Sequence, residues 1–327
     1  MLSLSKVSII IPVFNAGEHI FHLISDLQQQ TFREFEAIFI DDGSTDNTSK
    51  VIKDFMSEDK RIKLVRQNNL GVSSARKRGW EESSSDFIIF IDSDDRFSSN
   101  FVSEYFKTIV RTGNDIEFFS IHYENEDRST KHFGFLKEND RKTFSASDLL
   151  IQIGSLKLWG YPFMYISKRA SWNLEMFDKS FRIQEDTVAI VNFILANPNL
   201  KAGTNSLSYY RYVYNPKSAM HSLRAEDYWN MVDVGDTITK RAKLSGFSSN
   251  IIRILNGVKL SALMNVVANS ILEKNWQDFE ISRTKFLKTY KQTKIINRNV
   301  YIRRFLQYIL IEIRAKHILS KLYSNMK

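Results

Sequence analysis

The sequence predicts an α/β fold with a mostly parallel central sheet, followed by a mainly α-helical C-terminal region. Short apolar runs alternate with helix-type patterns through the first hundred residues. Such continuous runs are typical of parallel strands that are buried on both faces. From about Glu226 onward the patterns are helical and turn signals are few. We therefore expect a boundary near residue 220, between an α/β domain at 1–220 and a helical region at 221–327.

Four apolar runs predict the first strands, and helical patterns separate them. The predicted strands span 7–13, 35–40, 62–65 and 87–91. The predicted helices span 18–30, a segment that starts at 46–47 and continues past 55, and 71–80. Right-handed crossovers place the carboxyl ends of such strands at one edge of the sheet.

The alternation continues more loosely toward residue 220. The sequence predicts helices at 101–110, 145–153 and 184–196, strands at 115–123, 160–167 and 207–214, and a polar hairpin or loop at 124–143. We interpret 115–220 as a second part of the α/β domain.

Composition limits the possible classes of function. The 327 residues include no cysteine, which excludes disulfides, zinc–thiolate sites and a thiol nucleophile. The N-terminus is typical of a first strand rather than a signal peptide, and we expect no stretch as long as a membrane span. We therefore expect a cytoplasmic protein.

Positive charge is concentrated at the C-terminus. The net charge is +9, and residues 277–327 hold twelve Lys or Arg against three acidic residues. Apolar residues between Ile302 and Leu322 recur at helical spacing, with basic residues beside them. This pattern predicts a helix that either lies on an anionic membrane surface, on the inner face of the cell membrane, or packs in the protein or a homodimer. The tail lacks a nucleic-acid-binding motif, so we expect no nucleic-acid partner.

An acidic cluster directly follows the strand at 87–91. Asp92, Ser93, Asp94 and Asp95 stand at its carboxyl end. Clustered carboxylates repel one another, and hard oxygen ligands suit Mg²⁺, Mn²⁺ or Ca²⁺. Mg²⁺ sites typically add substrate phosphates, so we expect a metal–diphosphate site here. Asp and Ser also favour solvated turns, so the cluster alone leaves both interpretations open. The strand at 35–40 likewise ends in Asp41 and Asp42, and two acidic strand ends at one sheet edge favour a binding site.

Four motifs in register resemble the N-terminal half of an inverting, nucleotide-sugar-dependent family 2 glycosyltransferase. They are Ile11-Pro12-Val13-Phe14-Asn15, Asp41-Asp42-Gly43-Ser44-Thr45-Asp46, the run from Asn69 to Arg76, and Asp92-Ser93-Asp94-Asp95. The resemblance implies a Rossmann-like sheet of the glycosyltransferase A type. It covers residues 5–100 well, continues loosely to about 215, and leaves the tail uncovered.

The resemblance also implies donor-site roles. Pro12, Val13 and Phe14 would line a uracil pocket, and Asp42, with Asp41, would accept the base N–H. Asn69 and Arg76 would close over the nucleotide. Asp92 and Ser93 would contact the nucleotide-sugar, and Asp94, with Asp92, would bind Mn²⁺ or Mg²⁺. These assignments cover the donor substrate and its cofactor.

On the acceptor side, Glu185 and Asp186 match a Glu-Asp motif in which the second acid is the catalytic base. Acidic residues are also common in first helical turns, so a structural role stays open. Trp159 would face the acceptor, although a core position is the more frequent one for tryptophan. By the same resemblance, Tyr210, Asn215 and His221 fall near the phosphates or the metal.

The sequence thus predicts an enzyme that moves one sugar from a UDP-sugar to an acceptor hydroxyl. The acceptor would be a glycan, lipid-linked or protein-linked molecule of the cell envelope, such as a surface polysaccharide, teichoic acid or glycoprotein glycan. The Gln-x-x-Arg-Trp signature of processive synthases is absent. The alternatives are a haloacid dehalogenase-like phosphatase and a non-enzymatic basic protein that binds nucleic acid or membrane.

Overall fold

The computed structural model describes residues 6–17, 19–134, 142–158, 160–216, 218, 222–296, 298–312 and 318. The chain forms two compact units, neither of them continuous in sequence. The first unit comprises residues 1–146, 160–180 and 196–216, and the second comprises 147–159, 181–195 and 217–327. The domain boundary near 220 stays a prediction.

Within the described residues, the first unit is built on a ten-stranded sheet. Its strands are β1 (Val7–Val13), β2 (Phe35–Asp41), β3 (Ile62–Arg66), β4 (Phe87–Phe90), β5 (Arg96–Phe97), β6 (Ile116–Glu124), β7 (Thr130–Phe133), β8 (Lys142–Phe144), β9 (Tyr165–Lys168) and β10 (Ala202–Tyr212). The order is β3-β2-β1-β4-β9-β6-β10-β5, with β7 on β6 and β8 on β10. β3, β2, β1 and β4 run parallel, as do β6 and β10, whereas β9 is antiparallel to both β4 and β6.

Helices cover the sheet and form the C-terminal region. The first unit contains α1 (Ile20–Gln28), α2 (Thr48–Glu58), α3 (Val72–Glu82) and α4 (Phe101–Thr112). The second unit contains α7 (Ala225–Leu244), α8 (Ser249–Leu272), α9 (Trp276–Gln292) and α10 (Arg298–Glu312), with nearly all of α5 (Ala146–Gly154) and α6 (Glu185–Ala196). The predicted α/β class with a helical C-terminal region is confirmed.

Strand β1 shows why its apolar run is continuous. Ile9 and Ile11 are fully buried in one cluster with Leu23 of α1. On the other face, α3 lies so close that a Cβ at Gly79 would stand 2.2 Å from Cγ2 of Ile10. Both faces of β1 are therefore covered, and alternation with polar residues would bury unpaired polar groups.

Two predicted strands differ in extent from the structure. The segment 160–167 begins with a 3₁₀ turn at Pro162–Met164, and β9 follows only from Tyr165. β10 begins at Ala202, several residues before the predicted start at 207. The first part of β10 was not predicted because it contains the polar residues Thr204 and Asn205. Both are buried in the structure, where β10 pairs with β6. Tertiary pairing here outweighs local propensity.

The expectation that no stretch reaches the length of a membrane span is wrong by length and composition. α8 has 24 residues and a mean hydropathy of 1.5 in its most apolar window. More than half of that window is buried inside the protein, and α8 packs between α7 and α9. Within the described residues, this burial is typical of a core helix, and the finding is weak evidence for a membrane span.

Candidate functional site

A cleft lies at the carboxyl ends of β1, β2 and β4 in the first unit. Its cavity volume is about 270 Å³, near the lower end of the range of roughly 300–1,000 Å³ that ligand pockets span. Seven of the ten donor-site residues predicted from the sequence line it, namely Pro12, Val13, Phe14, Asp42, Asp92, Ser93 and Asp94, and Asn215 does so too. The parallel register of β1 with β2 and β4 brings these three motifs to one edge.

Asp42 holds a neighbouring loop while facing the cleft. Its Oδ1 accepts hydrogen bonds from Gln67 Nε2 and the Leu70 N–H, each at 2.8 Å. Its Oδ2 accepts one from the Gly71 N–H, also at 2.8 Å. A carboxylate offers about four acceptor positions, so these bonds leave about one for a ligand donor.

Asp41 is fully buried beneath this turn and does not line the cleft. It accepts hydrogen bonds from the Ser44 N–H, at 2.8 Å, and from the Ser49 hydroxyl. Burial acts to raise the pKa of Asp41, but the hydrogen bonds from Ser49 and Ser44 outweigh it and lower the pKa. Asp41 therefore shapes the turn as a carboxylate, and its contact with a base stays a prediction.

Asn69 and Arg76 stand beside the cleft lining. Asn69 is exposed, and its backbone N would lie 3.0 Å from a Cβ at Gly43. Gly43 has φ +84°, a backbone conformation that favours glycine, and it has no side chain to press against Asn69. Arg76 is buried on α3, and its Nη2 lies 3.1 Å from Asp92 Oδ1. An arginine at this point offsets the carboxylate charge of Asp92.

Residues 92–95, which we call the acid loop, follow β4 directly. Asp92 and Asp94 face the cleft, whereas Asp95 is only 1% exposed. Burial, together with the negative charges of Asp94 and Asp92, raises the pKa of Asp95 well above its usual range. The three acids therefore divide into two cleft carboxylates and one internal group.

The end of β10 reaches the acid loop. Tyr210 donates its hydroxyl to Asp95 Oδ2 at 2.6 Å, and the Val213 N–H donates to Asp95 Oδ1 at 2.8 Å. Two residues further on, Asn215 lines the cleft and donates its side-chain amide to Asp94 Oδ2 at 2.7 Å. Asp92 and Asp94 thus place two carboxylates, which are hard oxygen ligands, in the cleft lining, and this donor type suits Mg²⁺ or Mn²⁺.

The described residues contain no group of three or more His, Cys, Asp or Glu side chains arranged to hold a metal ion. A divalent ion at the acid loop would need further oxygen ligands from a substrate or from water. Mg²⁺ sites of this kind commonly use one or two carboxylates and substrate phosphates.

Glu185 and Asp186 begin α6 in the second unit. Both are half-buried, and the Thr187 N–H donates to Asp186 Oδ1 at 2.6 Å. Gln184, directly before them, has φ +60°. A residue other than glycine rarely adopts this conformation, and such strain is concentrated at functional sites. Trp159 and His221 lie outside the described residues.

Sequence reasoning missed the role of Asn15 and overlooked His19. Asn15 lies within the first motif, and its side-chain oxygen accepts the Thr45 N–H at 2.9 Å, which joins the first two motifs. His19 lines the cleft one residue before α1. Its position at the start of a helix that follows a strand-end motif was the available signal.

Comparison with known proteins places the N-terminal half in a family. Residues 8–169 match the family model described as Glycosyl transferase family 2. Glycosyltransferase GlyA of Streptococcus pneumoniae is 31% identical over 139 residues, which are 42% of this chain and 20% of that protein. Glycosyltransferase GlyG of the same organism is 28% identical over 147 residues, or 45% of this chain and 48% of that protein. The chain thus spans half or less of the length of these relatives.

A solved structure shares the fold over nearly the whole chain. S. aureus TarS 1-349 in complex with UDP-GlcNAc superposes with a TM-score of 0.71 at 18% identity, over 98% of this chain and 92% of that one. At this identity the likeness concerns the fold. It includes the glycosyltransferase A-like sheet that the four motifs predicted.

Proposed function

Because the chain belongs to the family 2 glycosyltransferases, we propose that it transfers one sugar from a UDP-sugar to an acceptor hydroxyl with inversion. The observation that carries this proposal is the meeting of all four motifs in one cleft, where seven of the predicted donor-site residues line the walls. TarS, which shares the fold, has been crystallised with UDP-GlcNAc, and this supports UDP as the nucleotide.

The base and the diphosphate occupy different parts of the proposed site. Asp42 Oδ2 accepts the uracil N–H, because its other acceptor positions hold residues 67–71. Pro12, Val13 and Phe14 supply apolar surface, and Phe14 is 49% exposed and available to a ligand. Asn69 and Arg76 lie at the nucleotide side, and Ser93 contacts the nucleotide-sugar.

The acid loop would hold a divalent ion at the diphosphate. Asp94 would be the main protein ligand, with Asp92 beside it, and the oxygen donor set fits Mn²⁺ or Mg²⁺. When bound, the ion offsets the negative charge that develops on UDP as the sugar leaves. Arg76 forms an ion pair with Asp92 and offsets its negative charge.

Asp186 is the proposed base for the acceptor. The acceptor oxygen forms a bond to the anomeric carbon while the bond from that carbon to the UDP oxygen breaks. Asp186 takes the hydroxyl proton, and UDP leaves with the bonding electron pair. Glu185 would lie beside Asp186 on the acceptor side, and Trp159 would offer a face to the acceptor. The strained Gln184 favours a functional role for this helix start.

The proposed acceptor is a cell-envelope glycan, lipid-linked or protein-linked, and the proposed location is cytoplasmic with peripheral attachment to the membrane. On α10, Phe305, Leu306 and Ile309 are exposed, with exposed Arg303 beside them. Exposed apolar and basic side chains together suit an anionic lipid surface. Flotation of the full chain with anionic, but not neutral, vesicles tests this attachment.

Leu306→Gln should abolish flotation, whereas Leu244→Gln, at a 77% exposed leucine on α7, should not. A molecular mass that doubles with concentration, and that Leu306→Gln returns to a monomer, would instead indicate a homodimer through α10.

Titration calorimetry with UDP tests the central proposal. We expect micromolar binding that requires Mn²⁺ and is lost in Asp94→Asn. Asp54→Asn, at an exposed carboxylate on α2, is the matched control and should bind as the unaltered protein does. If neither UDP nor another nucleoside diphosphate binds with metal present, the proposal fails.

A further inference from the structure

We propose that Tyr210 and Asp95 are positioning residues for the donor site, acting as a clasp that joins the end of β10 to the acid loop. The clasp consists of the Tyr210 hydroxyl, the Asp95 carboxylate and the Val213 N–H. This inference rests on the proposed function, because the groups that it positions are Asp92, Asp94 and Asn215.

The clasp uses both carboxylate oxygens of Asp95. Oδ2 accepts from Tyr210 at 2.6 Å and Oδ1 from the Val213 N–H at 2.8 Å. The Tyr210 oxygen in turn accepts the Asp92 N–H at 3.3 Å. One hydroxyl therefore contacts both the first and the last residue of the acid loop, which fixes the distance between them.

The phenol ring cannot shift to follow a moving loop. Tyr210 is fully buried, and its ring stacks on Phe163 with centroids 4.7 Å apart and planes 4° apart. Phe101 lies against the same ring at 5.7 Å. Close-packed aromatic rings hold one rotamer, so the hydroxyl has a fixed position.

The clasp also determines where the chain goes after β10. The strand ends at Tyr212. The Val213 N–H, one residue later, donates its hydrogen bond to Asp95 of the acid loop. Asn215 follows two residues later, with its amide nitrogen 2.7 Å from Asp94 Oδ2. A contact this close to the proposed metal ligand depends on the register that the clasp sets.

A second anchor holds the other side of the loop. Arg96, directly after Asp95, forms two hydrogen bonds to Asp26 of α1 at 2.6 and 2.7 Å. The Phe97 N–H also donates to Asp26 Oδ2 at 3.2 Å. The acid loop is thus tied to α1 through Asp26 and to β10 through Asp95, and its other two acids, Asp92 and Asp94, face the cleft.

Neither clasp residue can touch a substrate, since Asp95 is 1% exposed and Tyr210 is fully buried. A buried carboxylate is costly unless it is hydrogen-bonded, and an apolar residue would fill the space at lower cost. We therefore infer that the Asp95 carboxylate serves to fix the acid loop and the end of β10 relative to each other. Groups that orient metal ligands from behind commonly change metal affinity by 10- to 100-fold when they are removed.

Tyr210→Phe tests the clasp because it removes only the hydroxyl and keeps the stacked ring. The matched control is Tyr209→Phe, the same substitution at the adjacent, half-buried position of β10. We expect Tyr210→Phe to weaken the binding of UDP with Mn²⁺, and of Mn²⁺ alone by electron paramagnetic resonance, about tenfold. Tyr209→Phe should leave both affinities unchanged.

Hydrogen exchange gives a readout that needs no nucleotide. In Tyr210→Phe the amides of residues 92 and 213–215 should exchange at least about tenfold faster than in Tyr209→Phe. If Tyr210→Phe lowers the melting temperature but changes neither the affinities nor the exchange rates, the Tyr210–Asp95 contact only stabilises the core, and the proposal is overturned.

If the unaltered protein binds no nucleotide, the donor role of the clasp falls with the proposed function. Exchange at 213–215 then decides whether the clasp orders the segment at all. If the unaltered protein binds UDP and Tyr210→Phe binds it equally well, the clasp alone is wrong.

Discussion

The guanidinium of Arg76 and the carboxylate of Asp92 form an ion pair, with Nη2 and Oδ1 3.1 Å apart. The arginine side chain is 9% exposed and the aspartate side chain 31%, so the pair lies at the boundary between α3 and the cleft. It reduces the negative charge of the acid loop. The positive charge of Arg76 should therefore favour binding of the anionic UDP and disfavour binding of the divalent cation.

Arg76→Met should separate these effects. Loss of the positive charge should weaken UDP binding about tenfold, because hydrogen bonds to charged groups contribute about 1.5–3 kcal/mol. Mn²⁺ alone should bind more tightly, since Asp92 would no longer be neutralised. Calorimetry with each ligand measures both changes. Arg78→Met, at an exposed arginine that pairs with Glu82, should change neither affinity.

Asp186→Asn tests the proposed base. The amide has nearly the same size but cannot take a proton, so turnover should fall by at least about a hundredfold. The UDP affinity should stay the same, because the proposed role of Asp186 concerns the acceptor and not the nucleotide. Initial rates and UDP calorimetry on one preparation measure the two quantities. Similar losses of turnover in Glu185→Gln and Asp186→Asn would contradict the assignment of the second acid.

Gln184→Gly tests whether the strained residue before α6 serves catalysis. Relief of a left-handed conformation stabilises by about 1–2 kcal/mol, and the entropy of glycine in the unfolded chain offsets about half. We expect a slightly higher free energy of unfolding and a lower turnover, because Glu185 and Asp186 lose a fixed start to their helix. Urea denaturation and initial rates measure these.

Lys274→Gly is the matched control, as Lys274 also has a positive φ, +55°, in the second unit. It should gain stability with turnover unchanged. Equal losses of turnover in the two variants would remove the argument that strain at 184 is functional.

Glu36 should control acid stability independently of the cleft. It is buried near the start of β2, and it accepts hydrogen bonds from Ser8 Oγ at 2.6 Å and Lys63 Nζ at 2.5 Å. Burial acts to raise its pKa, but bonds from Lys63, Ser8 and Ser84 outweigh this and lower it below the ordinary 4.5. The charged form is therefore favoured by folding, and its contribution is present above pH 4.5 and lost as pH falls through the lowered pKa.

Glu36→Gln should lower the free energy of unfolding at pH 7 by about 1–3 kcal/mol, since it leaves buried donors poorly paired. The deficit should shrink below pH 4, where the unaltered protein also loses the charge. Urea denaturation at several pH values measures it, with exposed Glu58→Gln as control. A deficit that stays constant from pH 7 to pH 3 would contradict the assigned pKa direction.

The sequence carried the parts of the fold that depend on local pattern. The apolar run of β1 and the acids after β2 and β4 located the sheet edge, and the parallel order then brought seven residues to one cleft. The start of β10 was missed because Thr204 and Asn205 look polar until β6 pairs with them.

The contact of Tyr210 with Asp95 joins positions 115 residues apart, and no local pattern encodes such a pair. From the sequence alone, Asp95, the third acid of the cluster after β4, cannot be told apart from a metal ligand. Its burial depends on where β10 ends in space, which is a property of the whole sheet.

The division of the chain into units has a consequence for any attempt to separate them. The polypeptide passes from one unit to the other after residues 146, 159, 180, 195 and 216. A ribosome must therefore synthesise past residue 216 before the sheet unit is complete, and no single cut yields either unit whole. A fragment that ends at 220 would keep Asp186 on a helix whose unit is mostly missing. We expect such fragments not to fold as independent domains. A chimera that exchanges one unit between relatives would need a junction at each point where the chain crosses between the units.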